Sequence, residues 1–234
     1  MKLSVVVPAF NEEKLLGETL ACIRTAADPW EIIVCDNNST DRTAEIARQA
    51  GARVVFEPVN QIARARNAGA AQASGDWLVF VDADSSPTKE LFQDVLAAID
   101  SKTILAGGST VRLEAEQASV RFWVGAWNAL SRFNRWAAGS FIFCEAAAFR
   151  ELRGFDERFF AGEEIDFSRR ARRLARRRGR EMVILHRHPL LTSGRKVKLY
   201  SPGELLVFCM KTIISGGRTL RRKDDCYAWY DGRR

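Results

Sequence analysis

Trp77-Leu78-Val79-Phe80-Val81 is an unbroken apolar run that stops on Asp82-Ala83-Asp84. A strand that is apolar at every position must be covered on both faces, the condition of a parallel strand inside an α/β layer. Toward the N-terminus the same pattern recurs. Leu3–Val7 ends at Pro8, Glu31–Cys35 ends at Asp36, and Arg53–Phe56 reads as a third strand. Helical segments fall between them. Glu12–Arg24 repeats Leu15, Leu16, Thr19, Leu20 and Ile23 at helical spacing. Asn38-Ser39-Thr40-Asp41 supplies turn and capping chemistry before a helix over Thr43–Ala50, which Gly51 closes. Alanine-rich Ile62–Ala73 is helical up to Gly75.

Beyond Asp84 the spacing predicts a helix over Lys89–Ile99 and a strand over Thr103–Ala106. Thr110–Asn134 reads as strand then helix, Phe141–Phe143 as an edge strand, and Glu145–Leu152 as a short helix. Gly162–Arg178 is a helix whose apolar stripe is Phe167, Ala171, Leu174 and Ala175. Strands alternating with helices imply an α/β fold, a mainly parallel central sheet flanked by helices. No linker separates independent domains. The expected organisation is one fused domain, with a nucleotide-binding half over 1–108 and a second half over 109–234 that ends in a helical tail.

At 234 residues, 47% of them hydrophobic and 28% charged, the chain can bury a full core. Met1-Lys2-Leu3 leads straight into a strand, without the longer apolar region of a secretory signal, and no stretch approaches the ~18 apolar residues of a spanning helix. The expected location is the cytosol, with the inner face of the membrane as an accessible surface. The five cysteines form no C-x-x-C pair, so buried reduced thiols are expected. Net charge is +7, with the excess concentrated between Arg169 and Arg180. Such a run is ordinarily a solvated helix face, and its functional alternative is contact with phosphates or an anionic bilayer. Nothing matches a nucleic-acid-binding signature.

In open α/β sheets, ligands bind beyond the carboxyl ends of the strands. Three of these ends carry acidic loops: Asn11-Glu12-Glu13, Asp36-Asn37-Asn38-Ser39-Thr40-Asp41, and Asp82-Ala83-Asp84. Two carboxylates flanking one alanine can share a hard cation that keeps open positions for water and diphosphate oxygens. The plainer reading of a lone D-x-D is turn chemistry. Asp36 suits a nucleobase imide or a ribose hydroxyl, or else an Asx-turn. Glu12 suits ribose hydroxyls, or else a helix N-terminus.

These residues carry a family resemblance. Val5-Val6-Val7-Pro8-Ala9-Phe10-Asn11-Glu12-Glu13, then Cys35-Asp36-Asn37-Asn38-Ser39-Thr40-Asp41-Arg42-Thr43, closely resembles the opening of family 2 glycosyltransferases. The usual second motif is D-D-G-S-T-D, so Asn37-Asn38 departs from it. Ala65-Arg66-Asn67-Ala68-Gly69, Ala73-Ser74-Gly75-Asp76 and Asp82-Ala83-Asp84 follow in the family's order, and the likeness runs from residue 3 to about residue 178. It implies the Rossmann-like GT-A fold, a nucleotide-sugar donor with UDP favoured over GDP, and Mg²⁺ or Mn²⁺ bound through the D-x-D. It implies that Pro8, Ala9, Glu12 and Asp36 line the nucleoside pocket. Arg66 would lie near the uracil or the diphosphate. Asp84 would hold the metal, with Asp82, next to Ala83, nearer the ribose or the metal's water shell.

In the second half, Gly154-Phe155-Asp156-Glu157 and Phe160-Ala161-Gly162-Glu163-Glu164-Ile165-Asp166 resemble the family's G-F-D-E segment and its E-D acceptor motif. Glu164 stands where the family usually has Asp. By resemblance it is the general base of an inverting transfer, with Asp166 as the fallback. Their plainer reading is an acidic helix N-terminus. His186 and His188 are the only histidines. Some relatives complete the metal site with a C-terminal histidine, a role that the resemblance would give to His188 or to His186. Thr192-Ser193-Gly194-Arg195-Lys196 resembles a T-S-x-R-[RK] segment of small bacterial members, in which Arg195 would close on the donor diphosphate. Leu205–Met210 with Tyr227, Trp229 and Tyr230 fits an interfacial helix and core packing equally. The acceptor stays open between a lipid phosphate, a glycan and a small metabolite. Two rival readings stand beside the transferase. A sugar nucleotidyltransferase wants a Gly-rich loop where this chain has Pro8-Ala9-Phe10-Asn11-Glu12. A non-catalytic protein derived from a transferase would only bind nucleotide or an anionic membrane.

Overall fold

A computed structural model describes residues 1–27, 31–113, 118–193, 204, 207, 211–212, 215 and 217–226. One eight-stranded sheet runs through it, and the first half follows the alternation read from the sequence. The elements are β1 (Leu3–Ala9), α1 (Leu16–Ala27), β2 (Glu31–Asp36), α2 (Thr43–Gln49), β3 (Arg53–Phe56), α3 (Ile62–Ala71) and β4 (Trp77–Val81). There follow β5 (Ser85–Ser86), α4 (Lys89–Asp100), β6 (Ile104–Leu113), α5 (Ala118–Asn134), β7 (Phe141–Glu145), α6 (Ala146–Glu151), α7 (Glu163–Arg177) and β8 (Glu181–Thr192). Two short 3-10 turns, Arg218–Arg221 and Lys223–Asp225, come after these.

The strand order is β3-β2-β1-β4-β7-β6-β8-β5. β1, β2, β3 and β4 are mutually parallel, and β6 pairs parallel with β8. β7 runs antiparallel between β4 and β6. The strand order reverses at β1, which has β2 on one side and β4 on the other, so a crevice opens beyond the carboxyl ends of these strands.

Each strand divides its side chains between two cores, as the two-residue period of a strand requires. Leu3, Val5, Val7, Trp77, Val79 and Val81 face the core beneath α1 and α4. Val6, Leu78 and Phe80 face the other, with Phe149, Phe155 and Phe167 from the second half. There Phe155 lies edge-on to Phe80 at 5.1 Å and 4.7 Å from Phe167, the offset and edge geometries that aromatic quadrupoles favour. Both faces of β1 and β4 are covered, which is why their sequences are apolar throughout.

Three sequence expectations are corrected. Phe141–Phe143 is not an edge strand. It lies inside the sheet, and its first four residues are buried because helices cover both sides. α1 begins at Leu16 rather than Glu12, because residues 11–13 spend their backbone N–H groups on the neighbouring loop. Glu181–Thr192 is a long strand that the periodicity did not announce: its alternation is broken by His186, Arg187 and His188, and a register shift against β6 falls at this stretch. Cys35, Cys144 and Cys226 are buried free thiols, while Cys22, also free, is half-buried. Burial pushes the Cys35 thiol up to about 12. Among the described residues no helix is long and apolar enough to cross a membrane. Cys209, Arg195 and Lys196, Tyr227, Trp229 and Tyr230, and all of Leu205–Met210 except Val207 lie outside the described residues.

Gly69 on α3 lets that helix press against β1. A Cβ at this position would meet Val6 Cγ1 at 2.5 Å in the floor of the core. Gly69→Ala is expected to cost about 1–3 kcal/mol, the usual range for overpacking. Urea denaturation measures it, and an unchanged midpoint would mean that the α3–β1 contact yields freely.

Candidate active site

The first two loops of the crevice are laced together. Asn11, at φ 52°, donates its N–H to Ser39 Oγ at 3.0 Å, and its side-chain oxygen accepts from Thr40 N at 2.8 Å. Glu12 N donates to Thr43 Oγ1 at 2.8 Å, and Glu13 N donates to Asp41 at 3.1 Å. Asp36 is buried and its Oδ1 accepts from Ser39 N, three residues on, at 3.0 Å, a local loop bond one residue longer than an Asx-turn. Pro8 and Ala9 are buried strand residues, and the Ala9 carbonyl accepts from Asn37 N at 2.8 Å. Pro8, Ala9, Glu12 and Asp36 thus stand at the carboxyl ends of β1 and β2, where β1 is paired to β2 with Ala9 opposite Asp36.

The departure at Asn37-Asn38 has a physical explanation. Asn37 is buried. Its amide nitrogen donates to the carbonyls of Glu57 and Val59, at 3.2 and 2.6 Å, while its oxygen accepts from Gln61 N at 2.8 Å. Only an amide can give and take in this way, whereas a carboxylate only accepts at neutral pH. Asn38 sits at φ 66°, the left-handed region that glycine enters freely and asparagine tolerates.

Asp82-Ala83-Asp84 turns directly out of β4. Asp82 and Asp84 are partly exposed while Ala83 is buried between them. Three parts of the fold fix this turn. Thr19 of α1 donates its hydroxyl to the Ala83 carbonyl at 2.8 Å. Asp82 N donates to Ser140 O at 3.1 Å, ahead of β7. Ser193, just past β8, donates to Asp84 Oδ2 at 2.5 Å, and its N–H reaches Asp84 O at 3.1 Å. The turn is met by β8 because Ser85 and Ser86 pair antiparallel with Thr192 and Leu191. Ser193 was not singled out as a contact of Asp84, although it belongs to the Thr192–Lys196 motif.

Arg66 is 1% exposed and lies at the centre of the acidic groups. Its Nη2 donates to Asp82 Oδ1 at 2.9 Å and to the Gly139 carbonyl at 2.7 Å, and its Nη1 donates to Glu163 Oε1 at 2.7 Å. Its guanidinium carbon is 5.3 Å from the Phe155 ring centre. Nε is buried with no hydrogen-bond partner. The expectation that Arg66 lies near the uracil or the diphosphate is refined by this geometry: the side chain is enclosed as an ion-pair hub that joins the D-x-D turn to the start of α7. Glu163, nearly buried, was missed as a site residue, because sequence alone could not decide which of its two adjacent glutamates faces the arginine.

Glu164 belongs to the same cluster, and its carboxyl is pushed up to about 8. Burial is the largest cause and the Glu163 carboxylate the next, with Arg66 pulling in the opposite direction and Asp82 adding to the rise. One guanidinium cannot neutralise three carboxylates, so the third keeps its proton. Asp166 is placed differently. Its carboxylate takes Arg170 Nε at 2.6 Å, and Arg170 in turn donates to the carbonyls of Leu152 and Gly154. That pair anchors the Gly154–Glu157 segment to α7. In the same region Asn67 holds Phe155 by two backbone hydrogen bonds, both 2.9 Å.

His188 is not brought to Asp82 and Asp84. Its Nδ1 lies 3.0 Å from Asp94 Oδ2 on α4, and His186 is exposed. Among the described residues no three His, Cys, Asp or Glu side chains form a group that could hold a metal, so His188 does not complete a ligand set in this structure. The oxygen donors of Asp82 and Asp84 nevertheless suit a hard divalent ion, which takes carboxylates and keeps several waters.

Two outcomes test the hub. Arg66→Met removes the buried cation that Asp82 and Glu163 share, so it should lower stability by about 3–5 kcal/mol in urea denaturation. Arg66→Met combined with Glu163→Gln should recover part of that loss. The value for Glu164 lies above its ordinary 4.5, so the folded chain holds this proton more tightly than the unfolded chain does. That contribution to stability is complete below about 4.5 and is lost as pH rises through about 8. Glu164→Gln cannot ionise and should gain stability relative to the native chain over that interval. Parallel pH profiles of the two proteins would refute the assignment.

With this geometry established, comparison with known proteins is informative. The family model described as Glycosyl transferase family 2 matches residues 4–152. Validoxylamine A glucosyltransferase of Streptomyces hygroscopicus subsp. limoneus is 37% identical over 105 residues, covering 41% of this chain and 23% of that protein. The chain thus matches about a quarter of the length of that relative. Among solved structures, S. aureus TarS 1-349 in complex with UDP-GlcNAc superimposes with a TM-score of 0.67 at 21% identity, covering 97% of this chain and 69% of that one. Mannosyltransferase PcManGT from Pyrobaculum calidifontis, in complex with GDP-Man and Mn²⁺, gives 0.68 at 21% identity, covering 90% and 64%. These neighbours have the GT-A fold, and the sheet and helices described above are that fold. Through the family match and the fold, this chain belongs to glycosyl transferase family 2.

Proposed function

We propose that the chain transfers a sugar from a nucleotide-sugar donor to an acceptor hydroxyl, with inversion at the anomeric carbon. The observation that carries this reading is the Arg66 hub. It ties a D-x-D turn at the end of β4 to Glu163 at the start of α7, next to Glu164, whose carboxyl burial pushes up to about 8, on the crevice beside β1 and β2. UDP is favoured over GDP as the donor nucleotide. The solved neighbours were crystallised with UDP-GlcNAc and with GDP-Man, so the fold accommodates either base. On this reading residues 1–108 hold the donor and residues 109–234 the acceptor.

The nucleoside would lie against Pro8, Ala9 and Glu12, with Asp36 accepting from the base or the ribose. Asp84 would hold a Mg²⁺ or Mn²⁺ ion with help from Asp82. Such an ion supplies positive charge to the diphosphate as it departs. Ser193 and Thr19 keep the D-x-D turn in one conformation, which limits the reorganisation needed when the donor binds. Arg195 would add a cation to the diphosphate from the segment after Ser193.

Glu164 would be the base in its ionised form, so transfer draws on the fraction of chains whose Glu164 has given up its proton and should rise with pH toward about 8. The acceptor oxygen forms its bond to the anomeric carbon while the bond from that carbon to the diphosphate oxygen breaks. The electron pair leaves with the nucleoside diphosphate, and the acceptor's proton passes to Glu164. A carboxylate that titrates near 8 is a stronger base than an ordinary glutamate, which favours accepting a proton from a hydroxyl. Asp166, engaged by Arg170, serves to position α7 against the Gly154 loop. The acceptor class stays open between a lipid phosphate, a glycan and a small metabolite.

Calorimetric titration with UDP and GDP, each with and without Mn²⁺, tests the donor side. One nucleotide should bind only when metal is present, and Asp84→Asn should weaken that metal-dependent binding. Binding that ignores both metal and this substitution would overturn the assignment of Asp84. For the acceptor side, Glu164→Gln should keep nucleotide binding and lose transfer by about 10²–10⁴-fold, the usual contribution of a general base. Transfer that survives Glu164→Gln and is abolished by Asp166→Asn would move the role to Asp166.

A further inference from the structure

α5 has an outer face that the crevice does not explain. Val124 and Trp127 pack inward against the core, and Asn128 ties the helix to Val111 of β6 by two hydrogen bonds. The opposite side shows Phe122 at 68%, Trp123 at 70%, Leu130 at 46% and Phe133 at 84% exposure. A helix apolar on two faces has a second surface to cover. Arg121 and Arg132 stand exposed on the same helix.

At the end of α5, Phe133 lines an open pocket of about 430 Å³ with Arg135, Arg172, Arg176, Arg180, Glu181 and Met182. Four guanidiniums thus converge with a single carboxylate. Glu181 takes Arg135 at 2.8 Å, Arg180 reaches Glu145 and the Ile104 carbonyl, and Arg172 donates to the Asn134 carbonyl at 3.0 Å. Among the described residues no carboxylate pairs with Arg172 or Arg176. The Nε atoms of Arg172 and Arg180 are buried with no hydrogen-bond partner among the described residues. Burial, then Arg176 and Arg135, hold Arg172 below the usual arginine range. Like charges gathered at this density call for an anion.

We propose that this surface docks on an anionic phospholipid bilayer, with the α5 aromatics entering the interface and the arginine pocket receiving lipid phosphates. The charge is complementary to an anionic leaflet, and aromatic side chains beside arginines are the composition of interfacial helices. A soluble phosphate compound would account for the pocket but not for the aromatic face. A second copy of the chain would cover the aromatics while adding its own arginines along the same seam. Asp36, Asp82, Asp84 and Glu164 do not line this pocket.

Sedimentation of the full chain with vesicles tests this directly. Binding is expected to vesicles of phosphatidylcholine mixed with phosphatidylglycerol, not to phosphatidylcholine alone, and should weaken as salt is raised. Arg172→Glu with Arg176→Glu should reduce it by about tenfold or more, and Phe122→Ser with Trp123→Ser should reduce it as well, with thermal unfolding midpoints unchanged. Equal binding to both vesicles, or to neither, overturns the proposal. So does loss of vesicle binding to free glycerol phosphate at low millimolar concentration, which assigns the pocket to a soluble phosphate. A concentration-dependent dimer that dissociates on Phe122→Ser with Trp123→Ser, without vesicle binding, overturns it in favour of a contact between copies.

Discussion

The Arg66 guanidinium sets the terms for everything around it. A cation this deeply enclosed is stable only if charged and polar partners surround it, and Asp82, Glu163 and the Gly139 carbonyl do so. Those partners come from β4, from α7 and from the segment entering β7. The ion pairs therefore fix the relative positions of three elements that hydrophobic contact alone would allow to slide. The charge count then dictates the state of the fourth group. With Asp82 and Glu163 already served by one cation, Glu164 is left with a proton and an affinity for it near 8. A chemical property of the crevice thus follows from how its scaffold is held together.

The rest of the site is organised by reciprocal hydrogen bonds rather than by apolar packing. The β1–α1 and β2–α2 loops exchange bonds through Asn11, Ser39, Thr40, Thr43 and Asp41, and Asn37 stitches the second loop to the segment between β3 and α3. Residues that resemble a binding motif are thus partly occupied in building the loops that would do the binding. Asp36 shows both sides: it accepts the Ser39 N–H that shapes its own loop and still stands at the strand end that faces the crevice. The same economy holds at the D-x-D, where the turn is clamped from α1, from the entry to β7 and from the exit of β8.

Much of this was readable in advance. The all-apolar β1 and β4, the loop chemistry after each strand and the order of the short motifs named the fold and marked Asp36, Arg66, Asp82, Asp84 and Glu164, because strand period, turn preference and motif spacing are local properties. Corrections came where local pattern gave no signal. β7 read as an edge strand, since five apolar residues look alike at the border or the middle of a sheet. β8 was hidden by the polar run His186, Arg187 and His188, of which His186 and Arg187 are exposed and His188 is half-buried. The contact of His188 Nδ1 with Asp94, 94 positions away, likewise has no local signal in the sequence.

The sequence by itself determined the α/β class, the acidic rim and the family, because each rests on residues within a few positions of one another. Only the tertiary structure decided which of those groups meet. Glu163 reaches Arg66 across 97 positions, and Ser193 reaches Asp84 across 109. Neither pairing is encoded in spacing. Each exists because β7 and β8 close the sheet and carry α7 and the end of β8 back to the crevice, and because a buried charge must find its partner wherever the fold brings one.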